Sequence, residues 1–221
     1  MVRPNPPIAF GARGGLPNGT PLTAARGYEI MTYVMNVPVI FTPRMKRRLT
    51  RRALGMLELA LRQFPELDGK RITIGYSQAH LGSALLPRHP TPESKLTIRL
   101  KVRKLTYGTI GHELTHLAQG LSRQSAAARI PGGEKQCDIW TLARSSLFCD
   151  DAPSYLRLPR VVREEWPRYA KSIRSLCIAA IEKRKTYRFY LRWLEEEIKQ
   201  LADRRLRESG EKKQLALPLD G

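Results

Sequence analysis

The stretch GHELTHLAQG, residues 111–120, restricts the fold more than any other part of the chain. On an α-helix, positions i and i+4 lie about 40° apart in azimuth and one turn along the axis. His112 and His116 can therefore aim both imidazoles at one point. Glu113 sits about 100° round from His112, close enough to reach a water held there. Ile110, Leu114, Leu117 and Leu121 make a separate apolar stripe. Such a helix must pack along one face and open onto a cleft along another. The plain alternative is an amphipathic helix that happens to carry two histidines. The chain has only 4 histidines, however, and half of them fall in this one pattern.

Two imidazoles do not complete a metal site. No histidine follows His116, so a carboxylate must serve. The segment EKQCD supplies one. Glu134 begins a new helix after Pro131-Gly132-Gly133, and Asp138 lies four residues on, along the same face. A loop and a helical return bring Glu134 over the first helix as third ligand. Asp138 then accepts the other ring N–H of a ligand histidine and fixes its tautomer. The reverse assignment, Asp138 as ligand and Glu134 as support, stays open, although Asp is shorter and deeper in the helix.

The pair His112-Glu113-x-x-His116 and Glu134-x-x-x-Asp138 resembles the gluzincin zinc metallopeptidases. The compact layout is most similar to the minigluzincins, over residues 70–150. SprT-type DNA-associated proteases share the first motif but complete their zinc site with a histidine that this chain lacks. The resemblance implies an α+β fold: a zincin-like core with a small mixed sheet, an active-site helix and a glutamate helix, then a helical C-terminal extension. It implies Zn2+ on His112, His116 and Glu134, with a fourth position open to water whose pKa the metal lowers. Glu113 would be the general base, passing the proton to the leaving amine. Tyr155, His80, His89 and arginines after the second motif are candidate donors to the oxyanion. The strand KLTIRLK before the motif helix would border the cleft and bind extended substrate main chain.

Other elements follow from periodicity. VPVIF (37–41), RITIGYS (71–77) and KLTIRLKV (95–102) are expected as strands, with a loop over SQAHLGSALLPRHPTPES between the last two. Residues 42–64 are expected as one helix, 132–148 as another, and 159–207 as two long helices or one interrupted helix. Gly120 is placed to end the motif helix and Gly210 the last one. The expected organisation is a disordered N-terminus (1–27), the metallopeptidase domain (28–156), the helical extension (157–209) and a flexible tail (210–221).

Charge adds a second theme. Lys and Arg outnumber Asp and Glu 39 to 20, a net charge of +19. That excess favours polyanions, nucleic acid above all. Arg44, Lys46, Arg47, Arg48, Arg51 and Arg52 lack acidic i+4 partners and form a candidate DNA-binding cluster. Basic residues at 99–104 and in EKRKTYRFYLRW (182–193) add to it, although helical spacing turns Tyr187, Tyr190, Leu191 and Leu194 toward a packing face. The terminal QLALPL resembles the hexapeptide form of the bacterial sliding-clamp-binding motif. In that reading Gln214 meets the pocket edge and Leu215, Leu217 and Leu219 fill an apolar groove. A tail packing on its own domain is the alternative.

Cys137, Cys149 and Cys177 fit neither a disulfide framework nor a cysteine-type zinc site, and are expected as reduced, buried thiols. No stretch has signal-peptide or membrane-spanning character, so the expected setting is cytoplasmic, with association to the nucleoid. The expected function is a zinc endopeptidase acting on proteins bound or trapped on DNA. Two rivals are a regulatory peptidase held latent by its C-terminal helices, and a non-enzymatic DNA-associated protein with a structural zinc. The second gives Glu113 no role.

Overall fold

A computed structural model describes residues 31–34, 37–87, 94–122 and 129–215, with side chains for 37–207 within those spans. The N-terminal segment 1–27, His89, Leu217, Leu219 and the side chains of Gln214 and Leu215 lie outside this description.

The chain is α+β, with a mixed 5-stranded sheet ordered β1-β2-β3-β5-β4. β1 (Met31–Val34) pairs antiparallel with β2 (Val37–Phe41). After α1 (Pro43–Lys46) and α2 (Arg51–Leu61) comes β3 (Ile72–Tyr76), parallel to β2. β4 (Gly82–Leu85) forms the far edge, antiparallel to β5 (Leu96–Leu100), which runs parallel to β3. Helices complete the chain: α3 (Tyr107–Ser122), α4 (Glu134–Arg144), α5 (Arg160–Glu164), α6 (Trp166–Lys183) and α7 (Tyr190–Leu215).

Several expectations change. Residues 42–64 are two helices, because each threonine starts its own. Thr42 Oγ1 accepts from Met45 N at 3.3 Å and Thr50 Oγ1 from Ala53 N at 3.1 Å. The expected loop after β3 contains β4, whose four residues GSAL give no alternation to read. The strand before the motif helix is therefore interior, paired on both sides, and β4 is the edge. Gly120 does not end α3. A side chain there would run into Leu86, so the glycine serves close packing. α7 likewise continues through Gly210 to Leu215. β1 has no counterpart among the strands expected from periodicity.

Two hydrophobic cores flank α4. The first joins the sheet (Val39, Ile72, Ile74, Leu96, Ile98) to Leu57 and Leu61 of α2 and Ile110, Leu114 and Leu117 of α3. The expected apolar stripe of the motif helix is thus buried, although Leu121 is only partly so. Each fully buried leucine or isoleucine contributes about 1.5–3 kcal/mol relative to exposure. The second core joins Ile139 and Leu142 of α4 to Tyr169, Ile173 and Cys177 of α6 and Leu194 and Ile198 of α7. Trp140 packs against both. The C-terminal helices thus brace the back of α4, so that this helix is held from two sides. Tyr190 and Leu194 are buried as the spacing suggested, whereas Tyr187 is exposed. Among the described residues no helix is long and apolar enough to cross a membrane.

Candidate metal centre

α3 and α4 meet at a tight, polar seam. Thr115 and Thr141 share a buried hydroxyl hydrogen bond of 2.8 Å, and the Cys137 thiol donates to the His112 carbonyl at 3.0 Å. Gly111 permits the approach, since a side chain there would overlap Phe148 and Thr141. Before α4 the chain turns at Gly133, whose φ of 100° suits glycine alone. That turn places Glu134 in the first turn of α4, where the helix dipole favours a carboxylate.

The three residues singled out as ligands converge. Glu134 Oε2 lies 2.9 Å from His112 Nε2 and 3.1 Å from His116 Nε2. Asp138 is not a ligand in this arrangement. Its Oδ1 faces His112 Nδ1 at 2.8 Å, while Oδ2 accepts the backbone N–H of Tyr155 (2.7 Å) and Leu156 (2.9 Å). His112 Nδ1 is therefore the donor. His116 has its own support, Gln119, whose Oε1 lies 3.0 Å from Nδ1. The amide is oriented by its other end, because Nε2 donates to Pro131 O at 2.7 Å and to Gly133 O at 3.4 Å. His116 Nδ1 must then carry a proton. Both Nε2 atoms are left as lone pairs facing a carboxylate oxygen. Acceptors brought this close together could hold a cation between them.

Cys137 offers a competing ligand. His112, His116 and Cys137 form a group that could hold a metal ion, with ligand atoms within 4.8 Å of one another. The thiol, however, is fully buried and turned to a backbone carbonyl. Burial first, then the charges of Asp138, Glu113 and Glu134, push its pKa up, which disfavours the thiolate a metal requires. Glu134 is half-exposed and already in contact with both imidazoles.

Glu113 is buried beside this group. Burial pushes its carboxyl up to about 7, with Glu134 adding to the rise and His112 opposing it. For His112, burial disfavours the imidazolium, but Asp138, Glu113 and Glu134 outweigh burial and leave its pKa raised. Tyr155 stacks on His112, ring centroids 5.5 Å apart and planes 23° from parallel. Its phenol pKa is raised by desolvation and then by the neighbouring Glu134, Asp138 and Glu113, so it stays a donor.

Two cavities meet at this cluster. One of about 410 Å³ is lined by His80, Gly82, Thr109, Glu113, Phe148 and Tyr155, among others. The other, about 530 Å³, runs along Gly82–Ala84 of β4 past His116, Gln119 and Glu134 to Tyr155. The edge of β4 that pairs with no other described strand therefore lines the site. Gln119 and Gly82 are site residues that the motif alone does not reveal. Gln119 had a signal, since it stands one turn after His116; Gly82 had none.

The basic cluster lies elsewhere. Arg44 donates to Gln78 Oε1 at 2.9 Å, and Arg44 and Arg48 cover Tyr76 at 5.2 and 4.7 Å from its centroid. Arg47, Arg48 and Arg52 line a groove on that side, which Lys46 and Arg51 do not line.

No protein-family model, curated protein or solved structure matches the chain. The chemistry must be read from the site itself.

Proposed function

We propose that the chain is a zinc-dependent endopeptidase with a zincin-like core. One observation carries the reading: Nε2 of His112 and His116 and Oε2 of Glu134 meet within 2.9 and 3.1 Å, while each Nδ1 is engaged by a separate acceptor. Two neutral imidazoles and one carboxylate suit zinc and leave a position open. Bound zinc would supply Lewis acidity toward a water and the scissile carbonyl.

The chain's own groups do the rest. Asp138 and Gln119 hold the imidazoles in one tautomer and orientation. Glu113, held out of bulk water, takes the proton from the attacking water and returns it to the leaving amine. Tyr155, which lines both cavities, would donate its phenolic O–H to the developing oxyanion. The free edge of β4 offers main-chain donors and acceptors to an extended peptide, which favours broad sequence tolerance.

The net charge of +19 supports action near DNA, on proteins bound or crosslinked to it. Residues Gln214, Leu215, Leu217 and Leu219 would recruit the enzyme to a sliding clamp. Latency imposed by the C-terminal helices is disfavoured, because none of the described residues of α5, α6 and α7 lines either cavity. A purely structural zinc is disfavoured by Glu113, a buried carboxylate facing the cavities with no hydrogen-bond or ion-pair partner among the described residues.

The deciding experiment is Glu113→Gln. The variant should bind zinc as wild type does, by elemental analysis, and hydrolyse casein about 10²–10⁴ times more slowly. Equal hydrolysis by both proteins would remove the mechanism.

A further inference from the structure

The basic residues are not spread evenly over the surface. Thr50 ends the turn after α1 and starts α2, which sets Arg47, Arg48 and Arg52 around one opening. Arg103, from the turn after β5, closes it from the other side. The resulting groove encloses about 510 Å³. Among the described residues no carboxylate pairs with any of these four arginines. The first turn of α2 also contains no acidic residue. Cations at a helix N-terminus oppose the macrodipole, so an anion there relieves both the dipole and the arginines.

Tyr76 decides the kind of anion. Its ring is covered by Arg44 and Arg48, so it is not free to stack on a base. It serves as a platform that fixes guanidinium groups, which suits phosphate oxygens rather than bases. None of the exposed large apolar side chains lines the groove, so nothing there would insert into a bilayer.

We propose that this groove, between the start of α2 and Arg103, is the docking site for the phosphodiester backbone of duplex DNA, read without sequence preference. The proposal rests on the DNA-proximal reading above and gives it a location. The location matters for function. Tyr76 and Leu105 line the groove, whereas Ala79–Gly82 and Thr106 line the cavity beside Glu113. Groove and cleft therefore share the β3–β4 connection and the segment before α3 as a common wall. DNA held in one would present a DNA-bound protein to the other.

The test is fluorescence anisotropy of a labelled 20-base-pair duplex with the full-length, zinc-loaded chain, titrated at several salt concentrations. The triple variant Arg47→Glu, Arg52→Glu, Arg103→Glu should weaken binding more than tenfold. It should also flatten the plot of log K against log salt by about 0.9 for each phosphate that is no longer neutralised. The same triple change to Gln should do so to a smaller degree, and a retained melting transition shows that each variant is folded. The control Lys171→Glu, Lys199→Glu, Arg207→Glu removes equal charge from the exposed faces of α6 and α7 and should keep the slope. Equal weakening in control and groove variants would mean diffuse attraction and overturn the groove. No duplex binding by wild type at low salt would overturn the DNA reading itself. Neither result depends on whether the chain is a peptidase.

Discussion

The cleft and the groove stand on either side of the same wall, yet they are built by opposite rules. In the cleft the two imidazoles and the carboxylate that supports one of them each have a partner: His112 with Asp138, His116 with Gln119, Asp138 with two backbone N–H groups. In the groove the arginines have none among the described carboxylates. A site satisfied in every direction but one is preorganised for a small ion of fixed geometry. A site with charge and no partner is suited to a long, repeating, variable polyanion. Charge count alone does not distinguish the two.

The largest expected effect tests whether the cleft is satisfied in the way described. Glu134→Ala should abolish stoichiometric zinc and with it hydrolysis, whereas Cys137→Ser should keep both. Metal content after dialysis against a weak chelator reads the difference. If the serine variant loses zinc and the alanine variant keeps it, the thiol is the third ligand and the convergence on Glu134 is incidental.

The next effect contrasts the two faces directly. Raising salt from 50 to 200 mM should weaken duplex binding by about 10²-fold if about four phosphates are neutralised. Zinc occupancy should not change over that range, since its ligands are partly buried and in contact. Loss of zinc in parallel with DNA would show that the cleft is not preorganised.

Much of the cleft was legible in the sequence because helical periodicity is rigid. Spacing of four fixes His112 against His116 and Glu134 against Asp138 wherever the helices lie. The choice between Glu134 and Asp138 needed the helix crossing, which the seam of Thr115, Thr141 and Gly111 sets. Sequence spacing does not encode that crossing. β4 was illegible for a different reason. Its pairing and its role as the cleft edge come from β5, not from any pattern in its own four residues. The groove was half visible: the run at 44–52 announces charge, but Arg103 and Tyr76 reach it only through the parallel sheet. The break at Thr50 is hidden because apolar spacing on both sides of it matches a single helix.

Gln119 gives a smaller effect and sharpens the distinction within the cleft. Gln119→Leu removes the acceptor that fixes the His116 tautomer and takes away the side-chain donor to Pro131 O. Zinc affinity should fall about 10–100-fold, as measured by competition with a chromophoric chelator. Gln119→Glu should restore much of it, because a carboxylate also accepts from Nδ1. Recovery of this kind is not expected if the residue only fills space.

The smallest effects compare two glycines, one in the cleft and one inside α2. At Gly82 a side chain would meet Oε1, Cδ and Cγ of Glu113. Those atoms belong to the far end of a flexible side chain, so the fold can yield by turning the carboxylate away. Gly82→Ala should therefore cost little stability and leave zinc in place, while kcat falls about tenfold through a misplaced base. At Gly55, inside α2, a side chain would meet nothing within 4 Å. Gly55→Ala should leave hydrolysis unchanged and stabilise the chain by about 0.5–1 kcal/mol, because alanine loses less backbone freedom in a helix. Chemical denaturation reads one and steady-state kinetics the other. The same substitution then separates a position packed to its limit around a reacting group from one with room to spare. If Gly82→Ala left kcat untouched, Glu113 would not be held against β4, and the cleft would be looser than its hydrogen bonds imply.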